Sequence, residues 1–97
     1  MKTFIALLTF TERGIAGIQN SPARAGDFAK SAEKLGIAVK QQYWTVGAYD
    51  GVLIFEAPDD EAAAAALLSL GASCNVRSQS LLAYEESAFS AILGKLG

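Results

Sequence analysis

Two segments of this chain are apolar on both sides of an extended backbone, and nothing else in the sequence narrows the fold as much. Residues 3–10, TFIALLTF, place Phe4, Ala6, Leu8 and Phe10 on one face and Thr3, Ile5, Leu7 and Thr9 on the other. Residues 52–57, VLIFEA, form a second apolar run of strand length. Strands of this kind belong in the middle of a sheet that is covered on both faces. The chain has 97 residues, 52% of them hydrophobic, which is enough for one core and predicts a single domain over 1–97.

The segments between these strands read in order. TERGIAGIQN, residues 11–20, is a connection with two glycines and room for a helical turn at Ile15–Ile18. NSPARAGDFAKSAEKLG predicts a helix: Ser21 can cap it, Pro22 suits its first position, and Gly36 can close it in a left-handed conformation. Ala25, Phe28, Ala29, Ala32 and Leu35 form its apolar stripe. Residues 37–45, IAVKQQYWT, alternate as a strand, with Ile37, Val39, Gln41, Tyr43 and Thr45 facing one way and Ala38, Lys40, Gln42 and Trp44 the other; their mixed polarity suits a sheet edge. VGAYDG supplies turn residues before the second apolar strand. PDDEAAAAALLSLG predicts a helix whose acidic start, Asp59, Asp60 and Glu61, complements the helix dipole, so this acidic run needs no metal to explain it. NVRSQSLLAY, residues 75–84, returns to strand alternation, and EESAFSAILGKL closes with a short amphipathic helix, Ala88, Ile92 and Leu96 on one spine and Phe89 and Leu93 beside it.

The order is β-α-β-β-α-β plus a terminal helix, a split βαβ arrangement in which the first and third strands are central. The fold class is α+β with a four-stranded antiparallel sheet. Two crossover helices cover only one face of such a sheet. The other face of the central strands is still apolar, and a wet patch of that size is unusual in a monomer, so a second copy is expected to cover it, sheet against sheet.

Composition removes several functions. The net charge is -2 with a pI near 4.9, and the eight Lys and Arg are scattered, so no basic field for nucleic acid exists. No run of eighteen apolar residues could cross a membrane, and the short apolar stretch at the N-terminus gives way to Thr11, Glu12 and Arg13 without a cleavage pattern, so a cytoplasmic protein without membrane contact is expected. The single Cys74 forms no internal disulfide, fits a reducing compartment and reads as a small packed residue. Histidine is absent, which excludes Ser-His and Cys-His catalysis and the commonest haem, zinc and iron sites. No metal and no cofactor is expected.

The stretch YWTVGAYDGVLIFEAPDDE, together with the NSPAR helix start and the NVRSQSLLAY strand, resembles the GYD domain family, small proteins of the dimeric α+β barrel superfamily. The resemblance spans nearly the whole chain, with Ala48 between Gly47 and the Tyr49-Asp50 pair, and Cys74 standing where a small residue such as glycine is usual. It implies a ferredoxin-like topology and dimers whose sheets face each other. It implies little about activity.

Candidate ligand-binding residues are Tyr49, Asp50, Arg77, Trp44, Tyr43, Arg24 and Asn20. Asp50 between glycines suits an Asx-type turn, with Tyr49 covering the barrel end; alternatively the two are a donor and a base at the mouth of a pocket between sheet and helices. Asn20, Ser21 and Arg24 gather where a helix start could hold an anion, although capping alone accounts for Ser21. Arg77 on the last strand must reach solvent or a carboxylate, and Asp50 is a candidate partner. Tyr43 and Trp44 lie on opposite faces of their strand, so only one meets the helices while the other meets solvent or a partner subunit. No complete catalytic set is present. The expected function is a homodimeric, or higher even oligomeric, domain that at most binds a small ligand; the alternative is a cofactor-free enzyme of the monooxygenase or isomerase type known in the wider superfamily.

Overall fold

A computed structural model describes residues 1–97. The elements are β1 (Lys2–Phe10), α1 (Glu12–Ala16), a 3-10 turn (Ile18–Asn20), α2 (Ser21–Glu33), β2 (Ala38–Trp44), β3 (Gly51–Ala57), α3 (Asp60–Ala72), β4 (Val76–Ala83), α4 (Glu86–Leu93) and a second 3-10 turn (Gly94–Leu96). The four strands form one antiparallel sheet in the order β2-β3-β1-β4. The two apolar strands are its centre, because only there does pairing on both edges accompany burial.

Register assigns every side chain to a face. Phe4, Ala6 and Leu8 lie opposite Phe55, Leu53 and Gly51, and the five side chains point toward the helices. Phe4 and Phe55 stack with ring centroids 5.4 Å apart, a cross-strand aromatic pair of the kind that fixes register. The core closes over them with Ala32 of α2, Ile37, and Ala63 and Ala66 of α3. Ala63 and Ala66 sit three residues apart on one side of α3, and their small side chains bring that helix close to Leu53 and Phe55. At the edge of the layer Lys2 donates to Asp60 Oδ1 at 2.9 Å, and this bond and charge hold the exposed Lys2 ammonium above its ordinary pKa.

The opposite face carries Ile5 and Leu7 of β1, Val52 and Ile54 of β3, and Leu81 of β4. Ile5, Leu7, Val52 and Ile54 are partly buried there, Leu81 is exposed, and neither crossover helix lies on this side. α4 does not cover it either: none of its residues is buried, it packs chiefly on the 3-10 turn that follows it, and Phe89, Leu93 and Leu96 stay exposed. The molecule is accordingly elongated, 51 × 31 × 18 Å. No helix is long and apolar enough to cross a membrane.

Several expectations need correction. β2 contains a bulge at Lys40: Val39 pairs with Phe55 and Gln41 with the adjacent Ile54. The extra residue shifts the alternation by one, so Val39, Gln42 and Trp44 share the helix face while Gln41 and Tyr43 share the other, unlike the uninterrupted pattern read from the sequence. The first helical turn is α1, Glu12–Ala16, capped by Thr11 through the Gly14 N–H, rather than Ile15–Ile18. α2 ends at Glu33, and Leu35 lies beyond it, exposed, before Gly36 turns the chain at φ +77°. Ser21 does not cap α2; the helix continues from the preceding 3-10 turn and the Ser21 hydroxyl has another partner. Cys74 is exposed, not packed, and adopts φ +66° in the tight α3–β4 connection, which is the physical reason a glycine is the usual occupant of such a position.

Candidate functional site

The helix face of the sheet is not filled along its whole length. Toward the ends of β1, β2 and β3 that meet the Thr45–Asp50 loop, α2 and the end of α3 diverge and leave a cleft of about 280 Å³. Leu8, Phe10, Leu53, Phe28 and Leu70 give it an apolar floor and walls, and Ser21, Gln42, Trp44, Asp50 and Asn75 supply the polar groups. This is the composition of a small-molecule recess: mostly apolar, with a few convergent polar atoms.

The hairpin loop that forms one lip is tightly tied. The Thr45 N–H donates to the Asp50 carbonyl at 3.0 Å and the Thr45 hydroxyl donates to the Tyr49 carbonyl, which closes the loop across its base. The Asp50 N–H donates to the Leu8 carbonyl at 2.8 Å, and the Phe10 N–H donates to Asp50 Oδ2 at 2.8 Å. β1 runs on beyond the start of β3, so the Phe10 N–H has no strand carbonyl to meet, and the Asp50 carboxylate takes that place. The expected Asx-type turn is therefore replaced by a bond to a residue forty positions away. Oδ1 accepts from no protein group and is not shut off from solvent, so one carboxylate oxygen is open where the residue lines the cleft.

Trp44 crosses the cleft on the helix face. Its Nε1–H donates to the buried Ser21 Oγ at 2.9 Å, pinning β2 to the first turn of α2, while half of the side chain remains exposed. Arg24, one turn along α2, donates through Nη1 to the Gly17 carbonyl at 2.8 Å and through Nη2 to the Gly14 carbonyl at 3.4 Å. Its guanidinium closes the carbonyl end of α1, so the Arg24 expected at a helix-start anion site has backbone carbonyls as its partners. Asn20 is exposed and outside the cleft.

Tyr49 and Asp50 part company. While Asp50 faces the cleft, the Tyr49 hydroxyl donates to Gln79 Oε1 at 3.3 Å, and Gln79 pairs with Leu7 on the other face of the sheet. Tyr49 thus reaches from the β3 edge over β1 to β4 and does not act beside Asp50. Arg77 is also on that other face, opposite Thr9, and forms no ion pair; the expected Arg77–Asp50 contact is absent because the sheet lies between them. Arg77 lines a separate depression with Glu12, Arg13 and Cys74. Tyr43 reaches the cleft rim, but its register places the ring on the open face.

Sequence reasoning does not single out Gln42 and Asn75. Gln42 is obscured by the β2 bulge, which turns it toward the helices. Asn75 follows the left-handed Cys74, and its carbonyl accepts from the Thr11 N–H at 3.1 Å, a pairing that no local pattern announces. The Trp44–Ser21 pair has one available signal, since a strand Trp beside a helix needs an acceptor for its N–H. No group of three or more His, Cys, Asp or Glu side chains is placed to hold a metal ion.

Comparison with known proteins agrees with this architecture. The family model described as GYD domain matches residues 4–93. A relative from Thermus thermophilus, the glutamine synthetase and cystathionine beta-lyase binding protein, is 34% identical over 82 residues, covering 84% of this chain and 86% of that protein. The crystal structure of TTHA0845, also from Thermus thermophilus, superposes with a TM-score of 0.55 at 22% identity, covering 88% of this chain and 95% of that one, and shows a shared fold.

Proposed function

This chain belongs to the GYD domain family, and from that premise we propose that it is a non-catalytic cytoplasmic docking domain that works as a homodimer. Two copies pair open sheet face to open sheet face, and each leaves its helix-side cleft free for a small ligand. The observation that carries this reading is the helix-free face of the sheet, where Ile5, Leu7, Val52 and Ile54, each partly buried, and the exposed Leu81 form one apolar surface that no helix packs over. A sheet face of this kind needs a second layer, and an identical face on a two-fold axis is self-complementary. The exposed stripe of α4 extends the same demand to the C-terminal helix.

The name of the Thermus relative, a binding protein for two enzymes, supports recognition of protein partners as the role of this domain. The cleft favours binding over turnover. Asp50 already accepts from Phe10, Arg24 is bonded to two carbonyls, and Tyr49 lies across the sheet, so neither Arg24 nor Tyr49 is free to act with Asp50 as an acid–base pair.

Sedimentation equilibrium at micromolar concentration tests the pairing. The wild type is expected to be a dimer, and Ile54→Lys, which sets a charge at the centre of the open face, a folded monomer by circular dichroism. A monomeric wild type, or a dimer that survives this substitution, overturns the proposal.

A further inference from the structure

We infer that the helix-side cleft takes a small aromatic or otherwise flat ligand bearing a cationic or neutral hydrogen-bond donor, and that it discriminates against carboxylates and phosphates. This deepens, and rests on, the reading of the cleft as a ligand recess. Four observations lead to it. At about 280 Å³ the cleft lies at the small end of ligand pockets, which suits one or two rings. Its floor is apolar, with Trp44, Phe10 and Phe28 able to stack on or edge a flat molecule. Its one inward cation, Arg24, already donates to the Gly17 and Gly14 carbonyls, and no lysine lines it.

The fourth observation gives the sign of the charge. Two carboxylates, Asp27 and Asp50, border the cleft against that single engaged guanidinium. Asp50 is held in position by the Phe10 N–H on Oδ2, so Oδ1 is a preorganised acceptor whose orientation costs nothing further when a ligand donor arrives. The side-chain amides of Gln42 and Asn75 make no hydrogen bond within the protein and flank the same space. An anion entering here meets unpaired carboxylate oxygen and no free cation. An ammonium, amidine or ring N–H meets a fixed acceptor over an aromatic wall, and Trp44 adds a π-face to any cation.

The test uses three probes of nearly one shape: 2-phenylethylammonium, 2-phenylethanol and phenylacetate. The chain has a single tryptophan, so Trp44 fluorescence reports the cleft alone. Two-dimensional ¹H–¹⁵N spectra of the intact protein then locate each probe, through the Trp44 indole N–H and the Asp50, Gln42 and Asn75 amides. The ammonium is expected to bind tightest, with the alcohol between and phenylacetate weaker than the ammonium by roughly tenfold. Asp50→Asn, which keeps an oxygen for the Phe10 N–H but loses the charge, is expected to bring the ammonium to the level of the alcohol while its spectrum stays that of a folded chain. Should Asp50→Asn fail to fold, the wild-type ranking of the three probes still decides. Phenylacetate binding in the cleft as tightly as the ammonium overturns the inferred ligand class and leaves the ligand recess standing. Failure of all three to move the cleft signals overturns the recess as well.

Discussion

At the scale of single residues, three positions carry consequences out of proportion to their size. Asp50 replaces a strand carbonyl for the Phe10 N–H, so its truncation strands a half-buried donor. Asp50→Ala is expected to lower unfolding free energy by about 1–3 kcal/mol, with Asp50→Asn costing clearly less, as read from urea denaturation. Gly14 has no room for a side chain: a Cβ there would lie 1.9 Å from the Asn75 carbonyl oxygen. Gly14→Ala must push α1 off the β4 entry and is expected to cost about 3 kcal/mol in the same measurement. Cys74 presents the reverse case, because a side chain is present where φ +66° penalises one. Cys74→Gly is expected to be stabilising by about 1 kcal/mol, the left-handed penalty less the added freedom of the unfolded chain. The Tyr49-Asp50 pair is recognisable in sequence as a turn element. Its two residues serve different faces of the sheet, and adjacency in the chain hides that division.

Among the elements, the apolar central strands and the two crossover helices are the most legible. Their signals are local: alternation along β1, a run of β-branched and aromatic residues in β3, Pro22 at the start of α2, the acidic cap of α3. Simple alternation misphases β2 by one residue because a bulge is set by what the partner strand requires, and Lys40 carries no mark of it. α4 is recognisable as amphipathic, but its stripe finds no partner inside the chain. An eight-residue helix is too short to be stable alone in water. Amide hydrogen exchange over residues 86–96 is therefore expected to slow as protein concentration rises toward full dimerisation. Exchange independent of concentration would show that α4 takes no part in pairing.

For the molecule as a whole, the decisive property is a sheet with helices on one face and a helix-free, largely apolar surface on the other. Pairing driven by the apolar centre of that face, Ile5, Leu7, Val52, Ile54 and Leu81, should depend little on salt, since the charged Glu56 and Arg77 lie toward its ends. The dimer dissociation constant, followed by sedimentation from low to high sodium chloride, is expected to stay nearly constant, and association to show a negative heat-capacity change by calorimetry. A steep salt dependence would show that the charged rim of this face, Arg77 and the Lys40–Glu56 pair at 3.6 Å, carries the contact instead of its apolar centre. Legible from the residues alone were the element order, the two central strands and the absence of histidine chemistry, because each follows from the type and spacing of neighbouring residues. Only the tertiary structure decided that Asp50 tethers β1, that Tyr49 and Arg77 stand across the sheet from it, and that Trp44, Ser21, Gln42 and Asn75 converge on one cleft. Those placements depend on the register of strands far apart in sequence and on one bulge, and register is a property of paired strands that no single segment contains.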